Sequence, residues 1–223
     1  MHEHPFSEPL ALLTEGAAAL GLELAPDTLG RLQIYLEELK LWNAKTNLTG
    51  LKTDRDIVIK HFLDSLAVLP FLGGAASLVD LGSGAGFPGL VLKLARPHLV
   101  LTLVEARQRK AAFLEYLSSR FRLTGVQVVQ THLTHPLAQK WEPKVAAVVS
   151  RAVFILPRLL ELAAPLLAPG GVVLALKGVN LALGELEAAG SAAPRLGLGP
   201  LEKHIYNLPI SGEPRLLVMA RKR

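Results

Sequence analysis

Apolar residues recur along this chain with two periods, and the period changes once. Across the first 75 residues it is helical. Residues 10–22 form an apolar-rich run that ends near Gly21. Leu29, Leu32, Leu36 and Leu39 then follow at spacings of three and four behind Asp27, a good N-cap. A third helix is predicted with Asp54 as its cap and Ile57, Val58, Phe62, Leu66 and Leu69 on or near one face, closing before Pro70 and the Gly73-Gly74 pair. These stripes need something to pack against.

From Ser77 short β-rich runs alternate with helical stretches. The runs 77–81, 99–105, 126–130, 145–150 and 172–177 read as strands, and 88–96, 108–123, 133–140 and 155–167 as the helices between them. Alternation of this kind predicts a parallel sheet covered on both faces. After a further helical stretch around 181–189, the runs 203–208 and 215–220 are separated by a turn containing Ser211, Gly212 and Pro214. So short a link joins only antiparallel strands, because a parallel pair needs a long crossover. The expected fold is therefore α/β, a mostly parallel seven-stranded sheet with an antiparallel last strand. Residues 1–75 form a helical N-terminal cap and residues 76–223 the sheet domain.

Composition narrows the chemistry. Half of the 223 residues are hydrophobic and only 19% are charged, which excludes a disordered or coiled-coil chain. There is no cysteine, so disulfides, thiolate metal sites and cysteine nucleophiles are all excluded. Residues 1–5 lack the basic segment and apolar run of a secretory leader, and the uncharged stretch 66–79 is too short to span a bilayer and is broken by Pro70, Gly73 and Gly74. A cytoplasmic protein without a membrane segment is expected. The net charge of +5 is unevenly distributed: residues 1–75 carry 6 Lys/Arg against 10 Asp/Glu, and residues 76–223 carry 18 against 9. The second part suits a polyanion such as nucleic acid, and equally a merely solvated basic surface.

The most informative stretch is Leu78-Val79-Asp80-Leu81-Gly82-Ser83-Gly84-Ala85-Gly86-Phe87-Pro88-Gly89. In one register Gly84, Gly86 and Gly89 match the dinucleotide fingerprint; in the other, Asp80 with Gly82, Gly84 and Gly86 forms the acid-x-G-x-G-x-G loop used for S-adenosylmethionine. Charge separates the two, since a pyrophosphate is repelled by a nearby carboxylate whereas an ammonium and a sulfonium are attracted. Asp80 favours the sulfonium cofactor. Glu105, ending the second strand, suits the ribose hydroxyls of either. After the fourth strand the chain reads Ser150-Arg151-Ala152-Val153 and not the N/D-P-P-Y/F/W that holds an exocyclic amine. Carbon methylation generally needs a cysteine. What remains is direct transfer to an atom with a free lone pair, such as guanine N7, which needs no general base.

These residues, together with Trp42-Asn43, Asn47-Leu48-Thr49, Lys60-His61-Phe62-Leu63-Asp64-Ser65-Leu66 and Ala175-Leu176-Lys177-Gly178, make the chain resemble the bacterial small-subunit ribosomal RNA guanine-N7 methyltransferases, the RsmG or GidB family. The likeness runs from about residue 30 to residue 220. It implies a class I methyltransferase fold, S-adenosyl-L-methionine as cofactor and 16S ribosomal RNA or the small subunit as partner, with the methyl going to a guanine of the 530 loop. By position it implies that Gly82 and Phe87 contact the cofactor, that Leu133 and Thr134 flank its adenine, and that Arg151 sits where cofactor and RNA meet. Ser83, Gly84 and Gly86 of the same loop are further cofactor candidates. Lys177, at a strand end on the ligand edge of the sheet, is a candidate RNA or base contact, and Arg151 and Lys177 are the candidate catalytic residues. The chain departs from the family in reading His132-Leu133-Thr134 where Arg, a small or apolar residue and Glu are usual, and Ala146 where Asp is common.

Asn47, His61, Asp64 and Ser65 are candidate RNA-pocket residues, and Arg107, Arg109 and Lys110 a candidate phosphate-binding face, although a turn, a helix cap and a solvated helix face explain them as well. His132 and His135 have a metal-like spacing with no third ligand, so no metal is expected. Two rival functions remain open in the sequence: a nicotinamide-dependent oxidoreductase using the other glycine register, and a non-catalytic ribosome-assembly protein with a degenerate pocket. A monomer is expected.

Overall fold

A computed structural model describes residues 8–223; the N-terminal segment considered for a leader lies outside them. The helical part comprises α1 (Glu8–Ala19), α2 (Pro26–Thr46), α3 (Asp54–Ile57), a π-helical turn (Val58–Leu63), α4 (Asp64–Leu66) and a 3-10 turn (Leu69–Leu72). Then follow β1 (Ser77–Leu81), α5 (Gly89–Ala95), β2 (Val100–Glu105), α6 (Gln108–Arg120), β3 (Val126–Gln130), α7 (His135–Gln139), β4 (Val145–Arg151), α8 (Leu156–Ala163), β5 (Leu167–Gly178), α9 (Glu185–Ala192), β6 (Glu202–Asn207) and β7 (Pro214–Arg221). The described strands form one sheet in the order β3-β2-β1-β4-β5-β7-β6, and β7 alone runs against its neighbours.

Strand pleating sorts the core into two layers. Leu78, Leu101, Leu103, Ala147, Val149 and Leu174 point to one face, where α5, α6 and the N-terminal helices cover them. Val79, Leu81, Val104, Val148, Val173 and Ala175 point to the other, under α7, α8 and α9. The first layer is continuous from Leu12 and Leu13 of α1 to Met219 of β7, so the N-terminal helices and the sheet share a core. Within the helical part, α1 and the π-helical turn pack so tightly that a Cβ on Gly16 would overlap the Leu63 side chain.

Two expected caps are displaced. Asp27 lies inside the first turn of α2, where it accepts from Arg31 Nε at 2.7 Å, and Ala25 is the N-cap with Pro26 behind it. Thr53, not Asp54, caps α3 by accepting the Asp56 N–H at 3.1 Å. In each case a residue just upstream has the extended backbone a cap requires.

Candidate cofactor and RNA site

The glycine loop leaves β1 at the carboxyl edge of the sheet, where open α/β sheets bind ligands. Gly82, Gly84 and Gly86 all have positive φ, at 73°, 59° and 97°. The Gly82 and Ser83 N–H groups donate to Val104 O at 2.9 and 3.1 Å, and Gly86 N–H to Ser83 O at 2.7 Å, which fixes the turn. At Gly86 no side chain fits, because a Cβ there would overlap the Tyr35 hydroxyl rising from α2.

Two carboxylates support the loop from below. Asp80, with no exposed surface, accepts the Gly89 N–H on Oδ2 at 2.9 Å and so ties the loop to the first residue of α5. Burial pushes its pKa up to about 7, against the Gly89 N–H and Arg151, which pull it down. Its Oδ1 is buried without a hydrogen-bond partner among the described residues. Glu105 is buried as well and accepts from Gly84 N–H at 2.9 Å and Arg107 N–H at 2.8 Å. The position of Asp80 corrects the expectation that it faces the ligand, because its carboxyl group lies wholly within the protein and holds the loop's backbone. Each Glu105 oxygen accepts one backbone N–H and keeps a second lone pair.

Above the loop opens a cavity of about 510 Å³. Gly82, Ser83, Gly84 and Phe87 form its sheet side, and Thr49, His61 and Asp64 its helical side. Arg151, at the end of β4, bridges the two. It donates to Lys60 O at 2.7 Å and His61 Nδ1 at 2.9 Å, lies 3.4 Å from Asp64 Oδ2, and stands with Cζ 5.3 Å above the Phe87 ring. Phe87 is stacked on His61 at 4.5 Å and on Tyr35 at 5.2 Å between ring centroids. Burial, and next the Arg151 charge, depress the His61 pKa to about 3, so the imidazole is neutral. Asp64 also accepts from Tyr206 Oη at 2.8 Å and lies 3.7 Å from Arg215 Nε.

Other expected residues fall differently. Lys110 lines the cavity, with Nζ 4.0 Å from where a Gly84 Cβ would stand, whereas Arg107 and Arg109 are exposed and off its wall. Lys177 lines it too, and two of its three ammonium donors are held by Glu185 Oε1 at 2.9 Å and Phe154 O at 2.5 Å. Asn47 is the exposed left-handed C-cap of α2, at φ 49°, because a helix end needs that conformation and Asn tolerates it. Ser65 is buried and donates to His61 O at 2.6 Å. Leu133 is buried and lines a separate cavity of about 570 Å³ on the opposite sheet face, and Thr134 is the exposed N-cap of α7. Neither reaches the cavity above the glycine loop. Among the described residues no three His, Cys, Asp or Glu converge as a metal site.

Sequence reading missed Tyr35, Tyr206, Arg215, Glu185 and the packing of Val153. A Cβ on Gly82 would come within 2.7 Å of Val153, so that side chain closes over the loop. These contacts join residues far apart in the chain, and no local pattern marks them.

A mostly parallel seven-stranded sheet with an antiparallel β7, and a triple-glycine turn after β1, define a class I S-adenosyl-L-methionine-dependent methyltransferase. The O-methyltransferase from Bacillus cereus, solved in complex with SAH, has this fold: it is 18% identical, with a TM-score of 0.62 over 85% of this chain and 91% of that one. The profile described as "GidB: rRNA small subunit methyltransferase G" matches residues 28–195. The ribosomal RNA small subunit methyltransferases G of Myxococcus xanthus and Deinococcus deserti are each 41% identical, over 94% and 96% of this chain and 95% and 88% of theirs. The chain belongs to the GidB family of small-subunit ribosomal RNA methyltransferases. The nicotinamide reading falls with that membership.

Proposed function

We propose that this protein transfers the methyl group of S-adenosyl-L-methionine to N7 of a guanine in the 530 loop of 16S ribosomal RNA, acting as a cytoplasmic monomer. The observation that carries the reading is the shared cavity, with the glycine loop on one side and Thr49, His61 and Arg151 on the other. The open face of Gly84 suits the cofactor, whose sulfonium supplies an electrophilic methyl group, and Val153 stands over Gly82 beside it.

Guanine N7 presents its lone pair directly, so the protein supplies position and charge and no proton acceptor. The residues of the cavity fit that demand. Asp64 already accepts from Tyr206 and Arg151, and the His61 Nδ1 lone pair is engaged by Arg151. Arg151 brings a guanidinium to the junction, where it suits an RNA phosphate or the purine edge, and Phe87 beneath it offers an aromatic face. The exposed Arg107 and Arg109 suit the phosphate backbone beyond the rim.

Incubation with methyl-labelled cofactor and small ribosomal subunits, followed by mass spectrometry of nuclease fragments, tests this. One 7-methylguanosine in the 530 loop is expected, lowered about a hundredfold in rate by Arg151→Ala. A methyl group on an exocyclic amine, on carbon or in large-subunit RNA would overturn the reading.

A further inference from the structure

We infer that the Thr49 hydroxyl is an obligate hydrogen-bond donor into the cavity and selects the target base through an acceptor on its purine edge, the O6 of guanine. This rests on the guanine-N7 reading and deepens it.

The argument begins at Arg151, whose guanidinium has donors only. Its Nη2 lies 2.9 Å from His61 Nδ1, so that nitrogen accepts, and the ring proton sits on Nε2. The Lys60 carbonyl, 3.1 Å from the same Nδ1, takes its proton instead from Arg151 Nη1 at 2.7 Å. His61 Nε2–H therefore donates to Thr49 Oγ1, at 2.7 Å. The Leu51 N–H donates to the same oxygen at 3.2 Å. A hydroxyl has two lone pairs and one proton. Both lone pairs are engaged, so Thr49 has only its proton to offer, and no acceptor for it stands among the described residues.

The position of that proton is fixed as tightly as its role. Asn43 Oδ1 accepts the Thr49 backbone N–H at 2.9 Å and pins the turn after α2. Thr49 is half-buried and lines the cavity that holds the glycine loop. On the major-groove edge guanine shows two acceptors, N7 and O6, where adenine replaces O6 with an amino donor. A hydroxyl donating to O6 leaves N7 free for methylation and meets adenine with donor against donor.

Thr49→Val removes the hydroxyl at nearly constant volume, both its proton and the oxygen that accepts from His61 and Leu51, and Thr49→Ser keeps all three hydrogen-bonding roles. Methylation of small subunits and calorimetric titration with S-adenosylhomocysteine are measured for both. The Val variant is expected to lose about tenfold in kcat/KM, the worth of one buried hydrogen bond, with cofactor affinity within twofold. The Ser variant is expected within threefold of the parent. On subunits reconstituted with adenine at the target, the Val variant is expected to narrow the parent's preference for guanine. The proposal is overturned if Val stays within twofold, if Ser falls as far as Val, or if Val loses cofactor binding as well, which would make Thr49 structural. If the parent protein methylates no small-subunit guanine, the guanine-N7 reading fails and this inference with it. If the parent does so and Val is unaffected, only this inference fails.

Discussion

Asp80 is a carboxylate without water, and its energetics follow from that. Its pKa is raised from 3.8 to about 7, chiefly by burial. Between those values the native state holds a proton that the unfolded chain has released, so this group's contribution to stability is full below about pH 4 and is lost as the pH rises through 7. Asp80→Asn keeps an oxygen for the Gly89 N–H and removes the titration. Its melting temperature is expected to exceed the parent's at pH 8 and to converge with it near pH 4, as thermal unfolding across pH 4–9 would record. A constant gap would sink the assignment. His61 works in the other direction: depressed from 6.5 to about 3, its contribution is full above pH 6.5 and is lost on acidification toward 3. Both proteins carry His61, so the difference curve isolates Asp80. The acid-glycine pattern locates the loop from sequence, but the direction of the carboxylate depends on a backbone donor nine residues away, across the turn.

At the scale of elements, the pocket mouth is held by an ion pair between β5 and α9. Glu185, in the first turn of α9, accepts from Lys177 of β5 at 2.9 Å and from the Leu156 N–H of α8 at 2.8 Å. The paired side chains are only 11% and 8% exposed, and Lys177 reaches on to Phe154 O, so the segment 152–155 that lays Val153 over Gly82 is fixed from behind. Glu185→Ala strands a nearly buried ammonium and is expected to cost about 3 kcal/mol. Lys177→Met with Glu185→Leu is expected to recover most of that, by urea unfolding. If the single variant is as stable as the parent, the pair is not a clamp. From sequence, the alternation of strands and helices was legible because buried parallel strands leave continuous apolar runs. The π-helical turn at Val58–Leu63 was not, since its apolar spacing imitates an α-helix.

Across the whole molecule, the composition shift near residues 73–76 marks a change of architecture that the core does not respect. Leu12, Leu32, Leu36 and Leu63 belong to the same buried layer as Leu101, Phe113 and Leu174. A fragment of residues 76–223 would expose one face of its sheet and is expected to lack dispersed amide resonances and a cooperative thermal transition. A cooperative melt would show that the sheet folds alone. The basic excess of the second part was legible as charge but not as use. Lys93 is buried against Pro97 O and Leu99 O, and Arg96 holds Leu69 O and Gly73 O, so part of that charge closes carbonyl ends at the edge of the sheet away from the cavity.

The Tyr35 hydroxyl is buried beneath the glycine loop and donates to Ala85 O. Tyr35 packs against Phe62, Phe113 and Phe121 as well, so the floor of the turn is complete only when the sheet domain has joined the helices. A helix far from the loop in sequence thus sets the height of the loop's floor, and the turn's shape depends on the N-terminal helices as much as on its own glycines.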